Sequence, residues 1–362
     1  MIAVVGIVIA EVGIKISSVN PKGSIEMKNI IRTAWLTTNR SCNNHCMWCY
    51  SQNATDSELF YPDAEKIVDV LAVAGIKKIV LIGGEPTLYI HFEKLLRYIL
   101  NKEISLAVVS NGIKFKDKNF VARVADFGLS NVNISLKGVT EKDYWINTGN
   151  NTGFADMILG YNNLIQKGIS VILSYVIIDE NTDKINQLLK LLQKEKIDKI
   201  LFQFIKPIVT IKNSSDIMNF SQMGNMVNYI YNLFKETNIS YIIEVSFPFC
   251  YINQDCLQAL IRGNHIVAGC HIHASSGIVF DTNLKVLPCN HFVDAPFTNN
   301  KIISEKDLND LWNSDIVLNF RHKANCYPSE KCKQCVFWNK CGGGCFTRWL
   351  YLDPKEEIRG IR

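Results

Sequence analysis

The 362-residue sequence has no cysteine between positions 50 and 249. A secreted disulfide protein spreads its cysteines through a small, loop-rich fold, so that framework does not apply and a cytoplasmic protein is expected. No stretch approaches 18 uninterrupted apolar residues, so no membrane-spanning helix is expected. The opening run MIAVVGIVIAEVGI is apolar but short, contains Gly6 and meets Glu11. It lacks a basic n-region and a small-residue cleavage site, and reads as a hairpin or extra edge strand, not a signal peptide. The formal net charge is +5, yet no basic run with interleaved aromatics occurs. Nucleic acid and membrane are therefore not expected partners. Neither the Rossmann nor the P-loop phosphate pattern is present.

The chain does have apolar content, 48%, with only 20% charged residues. That supports one large α/β domain plus a smaller one. Strand-like segments fall at Thr33–Asn39, Lys78–Ile82, Ser105–Val109, Asn131–Leu136, Ser170–Ile178 and Ile200–Phe204. Runs such as Val80-Leu81-Ile82 predict strands buried on both faces of a parallel sheet. Helices alternate with them. Pro62 suits a first helical turn and Gly75 a helix end. Ile185, Leu188, Leu189 and Leu192 keep helical spacing, as do Met223, Met226, Val227, Ile230, Leu233 and Phe234. Six βα units predict a partial (β/α)6 TIM-like barrel over residues 32–247, after an N-terminal extension over 1–31. A further strand is expected at Tyr241–Val245. After it the rhythm stops, and a cysteine-rich C-terminal domain is expected over 248–362.

Ligands gather at the C-terminal ends of barrel strands. Cys42, Cys46 and Cys49, spaced C-x3-C-x2-C, lie just past the first strand. Thiolates ligate zinc and iron–sulfur clusters. Zinc would need a fourth ligand, and His45 sits awkwardly between two of the three. A cubane held by three cysteines leaves one iron open. Gly83-Gly84-Glu85-Pro86 follows the second strand. Its glycines permit close backbone approach to a ligand, and Glu85 offers a carboxylate to an ammonium group.

Together, in this order, these motifs resemble the radical S-adenosylmethionine (SAM) superfamily over roughly residues 32–245. The resemblance implies a [4Fe–4S] cluster on Cys42, Cys46 and Cys49, with SAM chelating its open iron. It implies Trp48 as the aromatic residue before the third cysteine, and Gly83, Gly84 and Glu85 as the holders of the SAM amino group. Ser110, Asn111 and Ser135 resemble positions lining the SAM pocket. Lys137 is either a contact to the SAM carboxylate or a solvated lysine. The implied chemistry is reductive cleavage of SAM to a 5′-deoxyadenosyl radical that abstracts hydrogen from an unactivated carbon.

Nine of the twelve cysteines lie from residue 250 onward. Cys332, Cys335, Cys341 and Cys345, with Cys270 and Cys289 upstream, resemble the SPASM extension of radical SAM peptide and protein maturases. By that resemblance Cys270, Cys289 and Cys345 belong to one auxiliary [4Fe–4S] cluster, and Cys332, Cys335 and Cys341 to a second. In this sequence no cysteine follows Cys345, so the second cluster lacks its expected last ligand. Cys326, Asp353 or an open iron are the alternatives there. Cys250 or Cys256 completes the first cluster or is a buried hydrophobe. One auxiliary cluster plus a zinc site is the other accounting. His271, His273 and His291 are expected beside the metal or at the surface.

The expected function is that of a radical SAM oxidoreductase modifying a peptide or protein side chain, as in maturation of a ribosomally made peptide. A flavodoxin or ferredoxin is the implied electron donor. The alternatives are a formylglycine-forming sulfatase maturase, a small-molecule dehydrogenase, and an iron–sulfur electron carrier or redox sensor. No catalytic base is legible in the sequence.

Overall fold

Short β-branched runs between amphipathic helices assemble one twisted sheet. The computed structural model describes residues 31–51, 57–208, 218–268 and 270–361; the expected N-terminal hairpin lies outside them. Parallel strands β1 (Thr33–Thr37), β2 (Lys78–Ile82), β3 (Ser105–Ser110), β4 (Asn131–Leu136), β5 (Ser170–Ile177), β6 (Lys199–Phe204) and β7 (Ser240–Glu244) pair in chain order. All seven fall within two residues of the expected windows. Helices α1 (Tyr61–Val73), α2 (Phe92–Leu100), α3 (Lys118–Asp126), α4 (Glu141–Thr148), α5 (Gly153–Gln166), α6 (Ile185–Lys194) and α7 (Phe220–Phe234) fill the connections, with α8 (Gln254–Arg262) beyond β7.

The caps follow from local chemistry. Pro62 occupies the first turn of α1, and Gly75, at φ +78°, ends it. Asp117 accepts the N–H groups of Asn119 and Phe120 at the start of α3. Asn219 and Gln222 form a reciprocal capping box on α7. Met223 of α7 is fully buried and Met226 packs against the same core.

One expectation about the sheet needs correction. Alternate strand residues are buried against the helices, such as Val132, Ile134 and Leu136 on β4 or Ile200, Phe202 and Phe204 on β6. The opposite face is only partly buried and carries Trp35, Asn133, Ser135, Gln203 and Glu244. Strand β2 is buried on both faces as expected, Ile79 to Ile82 all being buried, whereas β4 and β6 are fully buried on one face only and their polar residues collect on the other.

The sheet also continues past residue 248. Strand β8 (Ile266–Val267) adds parallel to β7. Strand β9 (Gly277–Phe280) returns to pair parallel with β1, and β10 (Val286–Leu287) pairs antiparallel with β9. Gly277 makes that return possible, because a Cβ there would stand 2.5 Å from the Trp35 ring. The segment between Cys270 and Cys289 is thereby tied to the first strand of the barrel.

Phe202 is fully buried, with its ring edge-on to Phe234 at 5.3 Å. Phe202→Ala is expected to cost about 3–5 kcal/mol of stability, read as a lowered midpoint in urea unfolding of the metal-free chain.

Candidate active site and its thiol groups

The loop after β1 is clamped to the turn after β2. Asn39 Nδ2 donates to the Ser41 carbonyl at 3.0 Å, to Ser41 Oγ at 2.9 Å and to the Glu85 carbonyl at 3.0 Å. The N–H groups of Gly84 and Glu85 donate back to the Asn39 and Ser41 carbonyls at 2.8 and 2.9 Å. A Cβ on Gly84 would lie 2.3 Å from the carbonyl oxygens of both Arg40 and Ser41, and one on Gly83 would lie 2.6 Å from that of Asn39. The immediate reason for both glycines is thus contact with the cysteine loop.

The loop's other side rests on the end of α4 and the turn after it. His45 N–H donates to the Thr148 carbonyl at 2.8 Å and Met47 N–H to that of Asn147 at 3.1 Å. Asn150 Nδ2 donates to the Asn43 carbonyl and to Asn44 Oδ1, both at 3.1 Å, and Asn44 Nδ2 donates to Tyr144 Oη at 2.9 Å. His45 is exposed and its backbone faces α4.

Glu85 is 1% exposed. Its Oε1 accepts from Thr87 N–H (3.2 Å), Thr87 Oγ1 (2.6 Å) and Ser110 Oγ (2.8 Å), and its Oε2 from Asn111 N–H (2.7 Å). Burial raises its pKa, with these hydrogen bonds pulling the other way. Asn111 Nδ2 reaches on to Asn43 Oδ1 at 2.6 Å. The Glu85 carboxylate therefore braces the ends of β2 and β3, while Ser110 and Asn111 tie that brace to the cysteine loop. Ser135 sits apart from them, two residues beyond Asn133 on the polar face of β4.

Cys42, Cys46 and Cys49 are free thiols close enough to perturb one another. Burial pushes Cys42 up to about 11 and raises Cys49, the latter opposed by Lys137 and Arg40. The Lys137 ammonium lies 5.8 Å from the Trp48 ring centre, and the Trp48 indole N–H is buried without a partner. Buried thiols need a cation to ionise, and an iron cluster supplies one. Three thiols with an orphan donor beside them fit such a group.

A second thiol group is formed by Cys270, Cys289 and Cys345. Behind the larger effect of burial, Cys345 raises the pKa of Cys270, and Cys270 and Cys345 raise that of Cys289. Two cations face them. Lys206 pairs with Glu244, which also accepts from Gln203 Nε2. Arg348, 1% exposed, donates to the carbonyls of Ser246 and Ile205 and leaves Nη1 without a partner. Burial lowers it to about 10, opposed by Cys345. Among the described residues no carboxylate pairs with it. A buried, uncompensated cation costs several kcal/mol, and a thiolate-held anionic cluster would offset that. His271 and His291 are neutral here, pushed down by burial to about 4 and about 3. His291 also stacks obliquely on Tyr50 at 6.0 Å, linking this group to the residue after Cys49.

The third group is Cys332, Cys335 and Cys341, joined by Cys250 around one apolar cavity. Gly342, Gly343 and Gly344, with φ of +56°, +77° and +85°, turn the chain so that Cys341 faces this group and Cys345 the other. Cys326 stands elsewhere, its thiol donating to the His322 carbonyl at 3.3 Å. Asp353 caps a helical turn by accepting Lys355 N–H at 2.8 Å. Cys256 is buried in the core on α8. Among the described residues no three His, Cys, Asp or Glu side chains stand close enough to grip a single metal ion, and no helix is long and apolar enough to cross a membrane. Sequence reading did not single out Lys206, Gln203, Glu244 or Arg348. Their signal was a polar side chain at a strand position or beside a cysteine.

The described residues thus form a largely parallel sheet of the partial-barrel kind, with Cys42, Cys46 and Cys49 in the loop after its first strand. Residues 36–192 match the family described as the radical SAM superfamily. Fe-coproporphyrin III synthase of Methanosarcina barkeri (strain Fusaro / DSM 804) is 31% identical over 171 residues, 46% of this chain and 42% of that one, so the match spans under half of that relative. GTP 3′,8-cyclase of Helicobacter pylori (strain J99 / ATCC 700824) is 26% identical over 87% of this chain and 94% of its own length. The fold resembles Streptococcus suis SuiB bound to precursor peptide SuiA, with TM-score 0.71, 18% identity, and 98% and 85% of the two chains covered.

Glu85→Gln keeps an oxygen for the three donors on Oε1 but sets its amide NH2 against the Asn111 N–H. Losing one or two charge-assisted bonds there is expected to weaken SAM binding about ten- to a hundredfold. Equilibrium dialysis with labelled SAM measures it.

Proposed function

We propose that this chain cleaves SAM reductively and uses the resulting radical to abstract hydrogen from a peptide or protein side chain, maturing a ribosomally made peptide by crosslinking, thioether formation or oxidation. The observation that carries the reading is the polar face of the sheet, with Asn133, Ser135, Gln203 and Glu244, in a chain whose Cys42-Cys46-Cys49 and Cys270-Cys289-Cys345 groups are linked through Tyr50 and His291. Cys42, Cys46 and Cys49 would hold the cluster, which together with SAM would supply a carbon-centred radical. The chain's own residues do the rest. Trp48 and Lys137 wall the triplet, and the Asn39 and Glu85 braces fix its position. Gln203 and Lys206 hold the Glu244 carboxylate at the sheet's inner face. Lys206 keeps Glu244 below the usual carboxylate range against the opposing effect of burial. An ionised Glu244 is placed to accept the proton released when a substrate radical is oxidised. An auxiliary cluster held by Cys270, Cys289 and Cys345 would accept that electron.

The substrate class rests on likeness of fold to an enzyme crystallised with its precursor peptide. The near full-length match to a GTP 3′,8-cyclase supports a second reading, a small-molecule substrate such as GTP. Incubating the reduced enzyme with GTP distinguishes the two, and no GTP consumption is expected.

Anaerobically reconstituted protein with SAM and dithionite is expected to release 5′-deoxyadenosine, and Cys42→Ala, Cys46→Ala or Cys49→Ala to abolish it. With intact clusters and no 5′-deoxyadenosine, the enzyme reading falls and an electron carrier remains. Peptides encoded by small open reading frames beside the gene are the substrates to test by mass spectrometry. Glu244→Gln is expected to leave SAM cleavage in place while lowering modified peptide about a hundredfold.

A further inference from the structure

We propose that Cys250, Cys332, Cys335 and Cys341 form a closed four-thiolate site for an iron–sulfur cluster, with Cys250 as the fourth ligand. The inference deepens the reading of the C-terminal cysteines as cluster ligands. It goes beyond it by assigning a residue from the end of the barrel, 82 positions before Cys332 in the sequence.

Local geometry brings Cys250 there. Pro248 precedes a helical turn over Phe249–Tyr251. That turn is wedged between α7 and the glycine-rich reversal. Gly224 of α7 lies so near the turn that a Cβ on it would meet the Tyr251 carbonyl oxygen at 1.9 Å. On the other side, a Cβ on Gly344 would meet Phe247 Cα at 2.7 Å. Phe249 N–H donates to Cys341 Sγ at 3.3 Å, and Cys345 N–H donates to the Ser246 carbonyl at 3.0 Å. The strand-end segment and the cysteine run are thus zipped together with Cys250 facing inward.

The four cysteines line one cavity with Phe249, Trp338 and Ile358. Cys250 and Cys335 both raise the pKa of Cys332 and Cys341 electrostatically, behind burial, so the four thiols share one neighbourhood. Among the described residues no three such side chains stand close enough to grip one metal ion, whereas a four-iron cubane spreads its four thiolates over four separate irons. Phe249 N–H already points at one sulfur, as thiolate ligands of a cluster require. With every iron bound to protein, this site can pass electrons but cannot bind substrate.

The test uses the whole chain. In the Cys42→Ala/Cys46→Ala/Cys49→Ala background the first cluster is gone, and reconstituted protein is expected to hold about eight irons, two four-iron clusters. Adding Cys250→Ala is expected to lower this to about four, or to leave a three-iron cluster with its own oxidised EPR signal. Adding Cys326→Ala is expected to change neither iron nor spectrum. A folding defect in Cys250→Ala is bypassed in the wild-type chain by alkylation and mass spectrometry. Cys250 is expected to be protected in the loaded protein and labelled after iron is stripped, with Cys326 labelled equally in both. Equal labelling of Cys250 in both states, unchanged iron in Cys250→Ala, or zinc in place of iron at this site would overturn the proposal. Protection of Cys250 without any 5′-deoxyadenosine formation would leave it standing while removing the proposed activity.

Discussion

The mouth of this barrel depends on one side-chain amide. Asn39 Nδ2 spans the Ser41 and Glu85 carbonyls, and through them joins the end of β1 to the end of β2. A loop that must hold three thiols a few ångströms apart cannot be left to wander, because three buried thiolates repel one another. Hydrogen bonds from the Asn39 amide and the glycine backbone set the loop's position before any metal arrives. Glu85 extends the same brace to β3, and Asn111 carries it back to Asn43. The mutual support explains why Gly83 and Gly84 need to be glycine even before a ligand is considered: their missing Cβ atoms are filled by loop carbonyls.

Charge is the second constraint. Lys206 and Arg348 are placed beside cysteines, and Arg348 has no carboxylate partner among the described residues. In an apolar interior that arrangement is costly unless an anion is present. A sulfur-bound cluster would carry that negative charge and offset Arg348, while Lys206 already has Glu244 as its partner. The formal +5 of the chain is then in part a counter-charge for metal groups and not a docking surface for an acidic partner.

Much of this was legible in the sequence. Strand positions follow from apolar runs, because helix-covered parallel strands leave one face no alternative to burial. The cysteine triplet was legible because its ligands are local, all within one loop. The polar face of the sheet was not, because Val80 and Ile82 read the same whether they face helices or a cavity. Only the scattered polar residues Asn133, Gln203 and Glu244 betray the open face, and their spacing crosses three strands. The same limit applies to Cys250. Its partners lie at positions 332, 335 and 341, and no local pattern links them, since the connection is made by Gly224, Gly344 and the turn between.

The order of the cysteines along the chain has a mechanical consequence. Cys341 and Cys345 belong to different thiol groups but are joined by three glycines, all held in left-handed conformations. The two groups are therefore fixed relative to each other by a short, fully specified peptide. Cys270 and Cys289 are in turn fixed to β1 through β9, and Cys250 to α7 through Gly224. Because that peptide fixes both groups, a metal group bound at one would also hold the cysteines of the other in place and lower the cost of ordering them. Assembly of the two C-terminal groups should then be cooperative, and it should draw the barrel's first strand and its last long helix into the same folding unit.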